Sequence, residues 1–240
     1  MELIKTRVNR RLVLSEYSGG IRFGTDALLL AHFALSAPGR GMDLGAGSGI
    51  IGFLLLTSGR ASHIDGIELQ PDYVDLCRKN ASENGLEARY TAVCRDIRDL
   101  HSFPEEEYDF CVSNPPYLPL GCGKENASEP MNIARREVKC DILSVCAAAS
   151  RSLRSGGSVF VVFRPDRLAA LLSALRASAL EPKRIRTVCP SSGRKPSLVL
   201  VEAIKNAPRG NVSEEQFCIY GDSSHRDYSE GMKNIYNELS

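Results

Sequence analysis

The chain has 240 residues, 43% of them apolar, which suffices for one sizeable core and makes a single domain the simplest reading. A net charge of +1 excludes a whole-molecule field as the main attraction for a polyanion. The first residues lack a signal-peptide apolar stretch and no run approaches a membrane span, so no membrane association is expected. Eight cysteines occur without a C-x-x-C pair or a Cys/His spacing that suits zinc. A metal-free protein of the reducing cytoplasm is therefore expected, with Cys77, Cys111 and Cys146 as small core residues.

In chain order, residues 1–40 read as an N-terminal extension with a helix over Thr25–Leu35, capped by Thr25 or Asp26. Residues 41–205 alternate strands and helices. Buried parallel strands are expected at Gly41–Leu44, His63–Ile67, Arg89–Cys94, Tyr108–Val112 and Ser158–Phe163. Helices are expected at Ile50–Thr57, at Pro71–Asn84 (Pro in the first turn, Gly85 as the stop), at Glu137–Leu153 and at Arg167–Ala177. Strands Arg184–Val188 and Ser197–Ile204 then flank a Pro190–Lys195 turn. This pattern predicts an α/β, Rossmann-like, doubly wound sheet of seven mostly parallel strands with the last antiparallel. Residues 206–240 read as a polar tail with a short helix over Tyr228–Leu239.

Charge is uneven. Residues 1–22 carry Lys5, Arg7, Arg10, Arg11 and Arg22, and residues 181–196 carry Lys183, Arg184, Arg186, Arg194 and Lys195. Between them, residues 65–109 hold twelve acidic side chains against five basic ones. Basic ends around an acidic middle suit a protein that touches phosphate at its rim; charged faces that aid solubility are the plainer reading.

The strand-to-helix junction Asp43-Leu-Gly45-Ala46-Gly47-Ser-Gly49-Ile-Ile-Gly52 carries the strongest ligand signal. Glycines there allow close backbone approach, and the helix start behind them offers unpaired N–H groups. The same run satisfies G-x-G-x-x-G, and Glu68 at the end of the second strand could accept ribose hydroxyls of either NAD or S-adenosylmethionine. Asp43, two residues before the first glycine, favours the second: a carboxylate there attracts a cationic sulfonium and repels a pyrophosphate. Asp96, after the third strand, is a candidate partner for the cofactor's adenine amine, with a plain helix cap as the alternative.

After the fourth strand comes Asn114-Pro115-Pro116-Tyr117. An exocyclic amine is a poor nucleophile because its lone pair is delocalised into the ring. Acceptance of its two hydrogens by the Asn114 side-chain oxygen and the Pro115 carbonyl would localise that lone pair, so positioning replaces a general base. Pro116 stiffens the loop, and Tyr117 offers a face on which a looped-out base could stack. Asn-Pro-Pro is also an ordinary turn; its place downstream of the glycine loop gives it weight.

These residues resemble the class I S-adenosylmethionine-dependent amino-methyltransferases with an NPPY motif. Within that group the chain is most similar to the bacterial tRNA1(Val) (adenine-N(6))-methyltransferase family. The further likeness lies in Gly20–His32, Ala134-Arg135-Arg136-Glu137, Val188-Cys-Pro190, Leu198–Glu202 and Tyr228–Tyr236. The resemblance implies methylation of adenine in valine tRNA beside the anticodon. It also implies that Thr25 and Asp26 border the methionine end of the cofactor. A release-factor glutamine methyltransferase would need an N-terminal helical domain, for which the 42 residues before Asp43 leave too little room. A guanine-directed rRNA enzyme remains an alternative; an inert RNA-binding module is the non-enzyme alternative.

Overall fold

A computed structural model describes residues 2–20, 22–34, 39–115, 142–210 and 212–240. The glycine-loop region forms as the apolar pattern requires: β3 (Gly39–Leu44), α2 (Ile50–Thr57) and β4 (Ala61–Glu68) follow β1 (Leu3–Arg7), β2 (Val13–Tyr17) and α1 (Thr25–Phe33). Next come α3 (Pro71–Glu83), β5 (Tyr90–Cys94), β6 (Tyr108–Ser113), α4 (Ile142–Ser152), β7 (Leu153–Phe163) and α5 (Leu168–Ala177). The chain closes with β8 (Leu180–Cys189), β9 (Leu198–Lys205), the two-residue β10 (Val212–Ser213) and β11 (Phe217–Cys218), and α6 (Glu230–Glu238).

The main sheet runs in the order β10-β8-β9-β7-β6-β3-β4-β5, with β11 on the outer edge of β8. Strands β3 to β7 pair in parallel, and β9 is inserted antiparallel to both β7 and β8. The expected seven strands are all present as the long ones; β10 and β11 raise the count in this sheet to nine among the described residues. Side chains alternate across the sheet as period-two geometry demands. Phe110, Val112, Phe160 and Val162 face a layer made by α1, α2, α3 and α6. Cys111, Val159, Val161 and Phe163 face α4 and α5. Helix α2 is buried from Ile50 to Leu56, so each large side chain in it contributes about 1.5–3 kcal/mol of burial.

Three features depart from the sequence reading. The basic N-terminal stretch is an antiparallel hairpin, β1 on β2, with Leu3 paired to Tyr17 and Arg7 to Val13. Helix α1 is capped by Gly24 with no side-chain cap, so neither Thr25 nor Asp26 caps it; the Asp26 carboxylate instead accepts the N–H of Ala27 at 2.9 Å. The tail adds β10 and β11 to the sheet before its helix, which begins at Glu230 with Ser229 accepting the N–H of Met232.

Among the described residues, the edge of β2 away from β1 has no strand partner. Two side-chain amides from α3 replace one. Asn80 accepts the N–H of Ser15 at 2.8 Å and donates to its carbonyl at 3.0 Å. One turn on, Asn84 does the same for Val13 at 3.0 and 2.8 Å. Asparagines four apart stand on one helix face, which matches alternate residues along a strand. Asn80 also donates to the Ser48 carbonyl, so one buried amide ties the hairpin to the glycine loop.

Candidate active site

The candidate site lies at the carboxyl ends of β3, β4 and β6, where open α/β sheets bind ligands. Gly45 and Gly47 have φ of +81° and +56°, and a Cβ built on either meets nothing within 4 Å. The loop therefore turns through left-handed backbone and faces open space, a cradle that a ligand can enter. Ala46 between them is buried, and its N–H, like that of Gly45, donates to the Ile67 carbonyl. Gly49 forms the N-cap of α2 at φ +85°. Beneath the loop, Cys77 Sγ donates to the Gly47 carbonyl at 3.1 Å, and the Tyr90 ring crosses β4 at Gly66, where a Cβ would sit 1.9 Å from its hydroxyl.

Asp43 is fully buried. One carboxylate oxygen accepts the Gly52 N–H at 3.3 Å, while Oδ1 has no hydrogen-bond partner among the described residues. Burial, with Glu68 adding like charge, pushes its pKa up to about 7. An orphaned buried carboxylate beside an open glycine loop fits a cationic ligand. Glu68, the last residue of β4, binds the backbone on both sides. Its Oε2 accepts the Gly47 N–H at 3.0 Å, and its Oε1 accepts those of Leu69 and Gln70 at 2.8 and 3.0 Å. It thus fixes the spacing between the loop and the end of β4, with capacity for one further donor.

At the end of β6, Ser113 Oγ donates to the Leu44 carbonyl at 2.8 Å, locking β6 to β3. The next residue, Asn114, donates from Nδ2 to Asp26 Oδ2 at 2.9 Å, across 88 positions of sequence. Pro115 follows, buried. Pro116 and Tyr117 lie outside the described residues, as do Arg135 and Arg136. Thr25 opens α1 beside Asp26. Asp96 is held locally: its carboxylate accepts the Arg98 N–H and the Arg98 guanidinium at 2.9 Å, an arrangement that lowers its pKa. The sequence reading missed Asn80, and also Glu16, a buried carboxylate that accepts the Phe23 N–H at 2.8 Å and so holds the approach to α1.

The basic run after β7 is corrected by the structure. Arg184 pairs with Glu202 and Glu214, donates to the Phe33 carbonyl at 2.8 Å and covers the Phe33 ring. Arg186 pairs with Glu214. Both are internal braces, and Lys183 donates to the backbone carbonyls of Pro208 and Gly210, whereas Arg194 and Lys195 stand exposed in the β8–β9 turn. No helix of the described residues is long and apolar enough to cross a membrane, and no cluster of three or more His, Cys, Asp or Glu among them could hold a metal.

This sheet order, with a glycine loop after its first parallel strand and an acidic residue closing the second, defines a class I methyltransferase. Residues 17–176 match the methyltransferase small domain family, and the chain belongs to it. A curated relative from Tolumonas auensis, a tRNA1(Val) (adenine(37)-N6)-methyltransferase, is 27% identical over 204 residues, covering 83% of this chain and 82% of its own. An enzyme of the same description from Shewanella sediminis is 25% identical over 230 residues, 92% of either chain. Among solved structures, a predicted O-methyltransferase from Agrobacterium tumefaciens superposes with a TM-score of 0.71 at 21% identity, covering 90% of this chain and 97% of that one.

Proposed function

We propose that the chain transfers a methyl group from S-adenosylmethionine to the exocyclic amine of an adenine in tRNA, in valine tRNA beside the anticodon, and works in the cytoplasm as one domain. The curated relatives carry this activity in their names, and the Asn-Pro-Pro-Tyr tetrapeptide suits an amine whose lone pair must be localised. When bound, the cofactor supplies a methyl group already activated by a sulfonium. Asp43 and Glu68 would hold it, the first facing its positive charge and the second a ribose hydroxyl.

The observation that carries the reading is the hydrogen bond from Asn114 to Asp26. An amide whose nitrogen faces a carboxylate turns its oxygen the other way, and an oxygen acceptor is what an exocyclic amine requires. Asn114 Oδ1 and the Pro115 carbonyl would take the two amine hydrogens, leaving the lone pair directed into the cleft. Asp26 is then a positioning residue for Asn114, a role distinct from the cofactor contact expected of it.

Two measurements test this. The protein is incubated with methyl-labelled S-adenosylmethionine and total tRNA from a strain lacking its gene, and the labelled nucleoside is identified. Label in N(6)-methyladenosine supports the reading; transfer to ribosomal RNA or a release factor instead overturns the substrate. Asn114→Ala is expected to reduce transfer by roughly 10²-fold or more, as loss of a positioned hydrogen-bonding group does, with cofactor affinity nearly unchanged. Equal loss of both would remove Asn114 from the transfer step.

A further inference from the structure

The C-terminal segment contains a continuous column of four rings. Tyr236 and Tyr228 lie 5.4 Å apart at 35°, Tyr228 and Tyr220 5.4 Å apart at 17°, and Tyr220 and His225 4.8 Å apart at 21°. The three tyrosines are half-buried and packed against the helical core layer, whereas His225 is exposed. One end of the column is thus rooted in the core and the other ends in an open ring face.

The backbone holds that ring in place at a cost. His225 has φ +56°, a region that side chains other than glycine seldom adopt. The turn is fixed by Asp222, which accepts the Ser224 N–H and hydroxyl at 2.8 and 2.6 Å. It is also fixed by the Gly221 N–H bond to the Asp227 carbonyl.

The column stands on the cofactor side of the molecule. The N–H groups of Ile219 and Tyr220 donate to the carbonyls of Cys189 and Pro190, so this segment follows β8 to the same carboxyl-end rim as Glu68 and Asn114. β8 lies three strand positions from β6, or about 14 Å at ordinary strand spacing. Arg226 neighbours the ring in sequence, and the Arg194–Lys195 turn begins at Pro190. Asp222, Asp227 and the Lys233-paired Glu230 lie in the same segment and offset these charges, so a ligand here would be held by the ring face more than by net charge.

We infer that the exposed face of His225, stacked on Tyr220, is a platform for an unpaired base of the RNA substrate, flanking the nucleotide that is methylated. Flat rings accept any base face, and proteins that read RNA loops stack splayed bases on aromatic side chains. This inference rests on the tRNA reading above.

The test uses a short RNA hairpin carrying the valine-tRNA anticodon loop, with 2-aminopurine replacing one loop base at a time. It is titrated into the wild-type protein, His225→Asn and His225→Phe. Asparagine tolerates the positive φ and removes the ring; phenylalanine keeps a ring. The expected result is quenching at one loop position in the wild type. His225→Asn should lose it, with affinity weakened about fivefold or more and an unaltered salt slope, and His225→Phe should restore it. Wild-type binding and quenching in His225→Asn would overturn the platform alone. A wild type that binds S-adenosylhomocysteine but not the hairpin would overturn the tRNA reading and the platform together.

Discussion

Asp43 shows how one residue links stability, pH and ligand binding. Its pKa is about 7 when buried, against 3.8 for an ordinary aspartate. Below about pH 4 it is protonated in the folded and unfolded chain alike. Between pH 4 and 7 the folded state binds the extra proton, so this group makes folding less favourable as pH rises, by roughly 4 kcal/mol in all. Melting of the cofactor-free protein should therefore include a component that falls from pH 5 to 7.5, and Asp43→Asn should remove it. A cation beside the carboxylate favours its ionised form, so cofactor affinity should rise with pH up to about 7 and level off above. Calorimetry in buffers of different ionisation enthalpy would register the released proton. Asp26 offers a sharper distinction. If it orients Asn114, Asp26→Asn should lower kcat about tenfold with the KM for S-adenosylmethionine little changed. A rise in that KM with kcat intact would make Asp26 a cofactor ligand instead.

At the level of elements, the α3 clamp on β2 is the contact most open to disruption. Asn80→Ala leaves a buried N–H and two carbonyls unpaired, at Ser15 and Ser48. A loss of about 2–4 kcal/mol in urea unfolding is expected, together with weaker cofactor binding because the loop loses a support. Asn84→Ala, at a less buried site, should cost less. Neither side chain stood out in the sequence, although two asparagines four apart in a helix, where the residue is a weak former, were a usable signal. The glycine loop, Glu68 and the Asn-Pro-Pro run were legible because their chemistry is written in contiguous residues. Asn80 on Ser15, Asn84 on Val13 and Asn114 on Asp26 join positions 65, 71 and 88 residues apart, and no local pattern encodes such pairings. The β1–β2 hairpin was obscured by Lys5 and Arg7 in β1 and by Ser15 and Glu16 in β2, polar side chains buried next to Leu14 that break the apolar alternation expected of a strand.

Over the whole molecule, charge is partly spent on holding layers together. Arg184 joins β8 to β9 through Glu202 and to α1 through Phe33; Arg60 joins His32 of α1 to Glu238 of α6. Arg184→Met should destabilise the fold by about 3 kcal/mol, because two half-buried carboxylates lose a partner, and leave the salt dependence of RNA binding unaltered. Neutralising Arg194 or Lys195 should do the reverse, leaving melting unchanged and reducing the log–log salt slope by about 1 for each phosphate that is no longer neutralised. Equal slopes in all variants would take the β8–β9 turn out of the RNA footprint.

The position of β9 between β7 and β8 also bears on how the chain is made. Every neighbour of β8 in the sheet, β9, β10 and β11, is synthesised after it. On the ribosome, β8 therefore emerges with both edges unsatisfied, and β7 has one edge open, until residues 198–205 arrive and close the gap between them. An arrest that leaves the emerged chain ending at the Gly193 turn would prolong the interval in which unpaired strand edges of β7 and β8 stand ready to pair with another nascent chain.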